Sequence, residues 1–378
     1  MINILIFFHG LITPDRRYNQ HNIYRNLSRE MLRRVLPILL TGVGVTGMAY
    51  SSFLPSKTVA QEMQTNLLAQ SSGEITVRDL QGFNGVTNAL AVSSDGTTLF
   101  VAAGDGTITA INTISLEQKY VIPFNINPYS NIAVSPNGEF FAAGGQRNNE
   151  IVIFNANNGG PAKTLQGSQG KLSAIAFSPD SRILVTTSAD ERTIRLWDVE
   201  GGNLIQTIGQ DAGPEMTVAF SPNGEYFVTG SILNYRYIKF WETKSGNLLL
   251  STPQQPGFVN KVAISPDGKT LVAAVRNFVK VWSLIDNGGQ FNPRELFTIK
   301  GPPQDINTIA FSPDGRLVAS ANKEGTVMLF DVVQGRVLTS LVGHRGWVLS
   351  VAFGPNGQYL YSAGEDKMVK IWDLSRWR

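Results

Sequence analysis

A four-residue turn recurs seven times along this chain at nearly constant spacing. It reads Ser93-Ser-Asp-Gly96, Ser135-Pro-Asn-Gly138, Ser178-Pro-Asp-Ser181, Ser221-Pro-Asn-Gly224, Ser265-Pro-Asp-Gly268, Ser312-Pro-Asp-Gly315 and Gly354-Pro-Asn-Gly357. Successive starts lie 42, 43, 43, 44, 47 and 42 residues apart. Each copy has the chemistry of a tight hairpin turn: Pro presets φ, Asp or Asn caps the turn through its side chain, and Gly accepts positive φ. The turn accounts for these Asp residues, so none is assigned a catalytic role. A repeat this regular also overrides the two or three domains that 378 residues would otherwise suggest.

An alternating run precedes each turn, as in Ala174 to Phe177 and Ile309 to Phe311, and a second follows, as in Ile183 to Thr187. A third closes each copy: ITAIN (108–112), IVIFN (151–155), IRLWD (194–198), IKFWE (238–242), VKVWS (279–283), VMLFD (327–331) and VKIWD (369–373). Four-stranded units of about 40–45 residues ending in Trp-Asp are the signature of propeller blades. The expected fold is all-β: a seven-bladed β-propeller of four-stranded antiparallel blades. Three strands per copy plus a linking fourth leave the last blade one strand short. Residues 75–81 (ITVRDLQ) alternate, and they precede Gly82 as Thr164-Leu-Gln precedes Gly167. They are predicted to pair in the last blade, joining the two ends of the chain and covering an open edge.

From 75 to 374 the chain resembles the WD-repeat propeller family. Trp-Asp is complete at Trp197-Asp198 and Trp372-Asp373; Trp241-Glu242, Trp282-Ser283, Phe330-Asp331, Phe154-Asn155 and Ile111-Asn112 are decayed versions. The Gly-His pair that opens a repeat in the family survives only at Gly343-His344. The resemblance implies a buried hydrogen-bonded set of His344, Asp366, Ser362 and Trp372. A buried imidazole, carboxylate and indole N–H must satisfy one another, so the set reads as structural. Blade 3 keeps Thr186, Asp190 and Trp197 but has Ser168 and Gln169 where Gly-His would fall. The other six blades are expected to rely on packing more than on this network.

The chain has no Cys and three His, of which only His344 lies in the repeats. Disulfides, thiol nucleophiles and Cys-ligated zinc are thereby excluded. Residues 1–70 carry seven Lys/Arg against three acidic residues, leaving 25 basic and 26 acidic in the rest. Global charge thus makes no case for nucleic acid as a partner.

Residues 1–60 read as a leader. Arg33 and Arg34 precede about twenty uncharged residues, 35–54, and Thr58-Val59-Ala60 supplies small residues of the kind found at export cleavage sites. That pattern is a signal peptide, for export to a periplasmic or extracellular space. The same apolar run is long enough to serve as a membrane anchor if uncleaved, and it would then be the only membrane contact. Met31 would start an ordinary signal sequence and is the expected start of translation; the intact mass of the unprocessed chain distinguishes it from Met1. Residues 61–74 read as a polar tether, followed by the propeller at 75–378.

Function is sought where loops depart from the template. The loop between second and third strands is longest in blade 4, at Ile232 to Tyr237, and these loops carry Arg147, Arg192, Arg236, Arg276, Lys323 and Lys367. Blades 3, 6 and 7 offset theirs with acidic neighbours, whereas blades 4 and 5 do not and add aromatic residues. Arg192, Tyr235, Arg236, Tyr237, Phe258, Arg276 and Phe278 are therefore the expected partner-binding residues, for a protein or peptide of acidic character. The expected function is a non-catalytic, exported binding scaffold with no cofactor and no metal. The competing readings are an exported propeller enzyme with a hydrolase- or lactonase-like channel site, and a membrane-anchored assembly scaffold. An enzyme would need convergent metal ligands or a nucleophile–base pair, and one His offers few means of building either.

Overall fold

The computed structural model of the protein describes residues 75–126, 131–146, 149–167, 170–209, 212–286, 288–302 and 304–377. The leader, the tether, Met31, Arg147, Ser168 and Gln169 lie outside the described residues. The described strands form seven four-stranded sheets, all antiparallel. Six sheets follow chain order; blade 3, for example, runs Ala174–Phe177, Ile183–Ser188, Thr193–Asp198 and Leu204–Ile208. The seventh runs Val348–Phe353, Tyr359–Gly364 and Val369–Asp373, then takes Val77–Leu80 as its outer strand. The protein is the seven-bladed all-β propeller that its repeats predict, and the closing strand lies within 75–81.

Closure has a clear register and its own side-chain ties. Val77 faces Trp372 and Leu80 faces Val369. Lys370 Nζ lies 2.7 Å from Asp79 Oδ1, and the Arg78 guanidinium lies 5.4 Å from the centre of the Tyr359 ring. Leu80 also packs on the cluster that joins the last blade to the first: Leu90, Leu99, Val101 and Ile111 against Tyr361, Ala363, Val369 and Ile371.

The core is divided into wedges between neighbouring blades rather than gathered in one centre. This changes how strand patterns read. Second and third strands are covered on both faces, so Thr98–Ala103 is buried along its whole length. The outer strands face solvent, as the largely exposed Leu204–Ile208 shows. Inner strands are stitched across blades by short polar side chains. Asn260 Nδ2 donates to Ile306 O at 2.8 Å, Asn307 Nδ2 to Val348 O at 3.1 Å, and Val262 N to Thr217 Oγ1 at 3.2 Å.

The recurring turn does more than reverse the chain. Ser93 Oγ donates to Asp95 Oδ1 at 2.6 Å and accepts from Thr98 N at 2.9 Å. That Ser93 bond holds the Asp95 carboxyl below its ordinary value, followed in effect by the Thr97 N–H. Each turn also touches the next. The turn Pro of one blade sits against the turn Gly of the following one, as Pro179 on Gly224, Pro222 on Gly268, Pro266 on Gly315 and Pro313 on Gly357. At ring closure the fit is tighter: a Cβ on Gly96 would stand 2.7 Å from Pro355 Cγ. With φ of +74° as well, Gly96 is required both by its backbone and by its neighbour.

The 47-residue spacing belongs to blade 5, where the strands Phe278–Ile285 and Phe291–Lys300 are lengthened. Phe291 lands on Tyr226 and Phe240, with ring centres 5.0 and 5.6 Å away, so the insertion ties blade 5 to blade 4.

Deleting residues 75–81 opens the ring and exposes the edge of Val369–Asp373. The cooperative thermal transition should be lost or strongly lowered, as followed by circular dichroism; an unchanged melt would contradict closure at this strand.

Candidate functional site

Hydrogen bonds run in one direction through the last blade. Trp372 Nε1–H donates to Ser362 Oγ at 2.8 Å, Ser362 Oγ lies 2.7 Å from His344 Nε2, and His344 Nδ1 lies 2.9 Å from both Asp366 oxygens. Asp366 also accepts from Arg345 N at 3.0 Å. The indole can only donate, so the chain closes when Ser362 donates to Nε2 and a neutral imidazole donates from Nδ1. Burial lowers the pKa of His344, and the Asp366 hydrogen bond opposes that only in part. Serine, histidine and aspartate in this order resemble a nucleophilic relay. Here, however, Ser362 is fully buried and its oxygen is occupied by Trp372, so no substrate carbonyl can reach it.

Part of this network persists in blades 3 and 4, which were expected to rely on packing more than on it. Trp197 Nε1 donates to Thr186 Oγ1, and Trp241 Nε1 to Thr229 Oγ1, both at 2.9 Å. Blade 4 replaces the His–Asp half with Glu215 and Lys239. Glu215 is fully buried, its Oε1 accepts from Gly213 N at 3.1 Å, and Lys239 Nζ lies 3.5 Å away. Burial raises the Glu215 pKa against the opposing pull of Lys239. Glu215 was not among the residues singled out from the sequence. Its signal was available: a carboxylate opening the inner strand EMTVAF, the one charged residue there.

On the loop face, the structure gathers some of the expected residues. Arg192 lies 5.4 Å over the Tyr235 ring, and its Nη1 donates to the Tyr235 hydroxyl at 3.2 Å. Lys239 approaches the same ring at 6.0 Å, so Tyr235 is held between two cations. The acidic offset expected for blade 3 goes elsewhere, because Glu191 pairs with Arg195. Arg236 is half-buried, and its Nε finds no hydrogen-bond partner among the described residues. Arg276 is exposed and lies against Gly257, where a Cβ would stand 2.3 Å from its Cγ. The adjacent Phe258 is 46% exposed. Tyr237 and Phe278 are half-buried where the third strands of their blades begin.

The basic residues share an unusual backbone. Two positions before the first buried residue of the third strand, the chain takes positive φ in six blades. Blades 1, 2 and 6 place Gly106, Asn149 and Gly325 there; blades 3, 4 and 7 place Arg192 (φ 54°), Arg236 (φ 51°) and Lys367 (φ 61°). In the shorter turn of blade 5, Arg276 takes φ 55°. This conformation costs a residue with a Cβ roughly 1–2 kcal/mol.

The family model for the WD domain, G-beta repeat, matches residues 159–198, 202–242, 246–283, 293–331 and 335–373. The chain belongs to the WD-repeat family. Each matched WD unit starts on the outer strand of one blade and ends on the third strand of the next, a one-strand offset that makes the closing strand necessary. Blade 1 and the first three strands of blade 2 lie outside the matched units, yet both blades are complete four-stranded sheets. An uncharacterized WD repeat-containing protein of Synechocystis sp. is 46% identical over 261 residues, covering 69% of this chain and 73% of that protein. WD-repeat propellers commonly act as protein-interaction scaffolds, and the family is mostly non-catalytic.

Replacing Ser362 with Ala strands Trp372 Nε1–H and His344 Nε2 together, at about 1–3 kcal/mol for each buried unpaired group. The wild type carries a pH signature too. Because His344 is held below 6.5, its unfolded form binds more protons, so its contribution is complete above 6.5 and is lost on acidification towards the folded pKa. Urea titrations across that window should show a steeper acid loss in wild type than in His344→Gln.

Proposed function

We propose that this WD-repeat protein is an exported, non-catalytic scaffold that docks an acidic segment of a protein partner on the loop face of blades 3 to 5. The observation that carries this reading is the placing of Arg192 and Arg236 at positive φ where blades 1, 2 and 6 use glycine or asparagine, with Arg276 at positive φ in the shorter turn of blade 5. Strained backbone held at loop tips is a mark of functional sites, and the strain here is spent on presenting guanidinium groups. Tyr235 supports the reading as a rigid aromatic platform between Arg192 and Lys239, because tyrosine and arginine dominate binding hot spots. Leu233 and Phe258 are exposed and add apolar area to the loops of blades 4 and 5. The propeller has nearly balanced charge, so attraction would be local to this face and sensitive to salt. Export rests on the leader's arginines and its uncharged run.

Among the described residues, no three His or carboxylate side chains converge as metal ligands.

The test is affinity capture from the native host with wild type and with Arg236→Glu plus Arg276→Glu, after equal melting temperatures are established. The variant should recover the principal partner at least about tenfold less well, the scale of a hot-spot loss. Identical recovery removes the idea.

A further inference from the structure

The inner strands surround a central channel of about 960 Å³. Its wall is mostly neutral: Asn88, Ser173, Met216, Asn260, Asn307 and Leu349 all line it. Lys261 is the exception. It stands on the inner strand Val259–Ile264 and faces the channel, and no hydrogen bond or ion pair reaches it among the described residues. The same inner-strand position carries Asn131, Thr217 and Ser350 in blades 2, 4 and 7. Each bonds the inner strand of the next blade, as Asn131 Nδ2 does to Ile175 O at 3.1 Å and Ser350 Oγ does by accepting from Leu90 N at 3.2 Å. Lys261 puts a long cationic chain where those three blades have a short stitching group and blades 1 and 3 have Ala89 and Ala174.

The other charged groups lining the channel, Asp305, Lys323 and Glu365, stand on the loops at its mouth. Lys323 lies 4.6 Å over the Trp347 ring, and Glu365 accepts from Trp347 N at 3.1 Å. Burial alone lowers the Lys261 pKa, with no charged neighbour modifying it. Lys261 is half-buried on the channel wall, and an ammonium that is poorly solvated and has no counter-ion gains from pairing with an anion. The channel volume is that of a small-molecule site.

We propose that the channel binds a small oxyanion, a carboxylate- or phosphate-bearing molecule, with Lys261 as its counter-ion. A bound anion favours the charged form of Lys261, so affinity should weaken as pH rises and that form is lost. The site is separate from the arginine-bearing loops, and Arg236→Glu with Arg276→Glu leaves it intact, so the two readings fail independently.

The experiment is amine-reactive labelling of the full chain, read lysine by lysine by mass spectrometry, with inorganic phosphate and citrate as probes in separate arms. At about ten times Kd, mass action should slow labelling of Lys261 about tenfold while surface lysines are unaffected. Protection by phosphate assigns a phosphate-type ligand, and protection by citrate alone assigns a carboxylate. Lys261→Met, which removes an unpaired charge without opening a cavity, should fold and lose any anion-dependent rise in melting temperature. Unchanged labelling of Lys261 with both anions, or an equal thermal shift in Lys261→Met, overturns the proposal.

Discussion

The pairing of Val77–Leu80 with Val369–Asp373 is the constraint on which the rest of the structure depends. Every other blade is local in sequence, but this one joins residues almost three hundred positions apart. Without it the last third strand would be an open edge, the first and last blades would lose the wedge they share, and the stacking of Pro355 on Gly96 would have no partner. The complete His344–Asp366–Ser362–Trp372 chain sits in this same blade, alone of the seven. A blade assembled from both ends of the chain can least tolerate a loose loop, which gives the network a structural reason to persist there.

The division of labour follows from geometry. Polar groups that bond inward, such as Trp372, Ser362 and the Glu215–Lys239 pair, fix loops to strands and are shielded from solvent. The loops they fix are then stiff enough to hold arginines in conformations that glycine would adopt more readily. Lys239 links the two roles, since it neutralises buried Glu215 and also supports the Tyr235 platform. Stability and recognition on blade 4 are therefore coupled through one side chain.

Much of the fold was legible because its signals are local. Turn chemistry, the 42- to 47-residue spacing and the third-strand Trp positions each depend on residues close in sequence. What escaped depends on contacts between blades. The turn prolines read as φ-setting residues, and nothing in one repeat shows that five of the six also seat on the next blade's glycine. Acidic neighbours, Glu191 among them, read as offsetting Arg192, but Glu191 pairs with Arg195 and Arg192 reaches Tyr235 of the neighbouring blade. Glu215 was passed over because it replaces a His–Asp pair by charges from different positions in the repeat. The loop-face cluster was visible as composition, whereas its strained backbone was not.

Native-state hydrogen exchange tests the central claim most directly. If closure holds the ring together, the hydrogen-bonded amides of Val77–Leu80 and Val369–Asp373 should exchange only through global unfolding. Their free energy of exchange would then match that of the buried strands Thr98–Ala103 and Ile183–Ser188. Fast exchange confined to Val77–Leu80, with full protection retained elsewhere, would show a ring that is stable without its closing strand and would contradict the account.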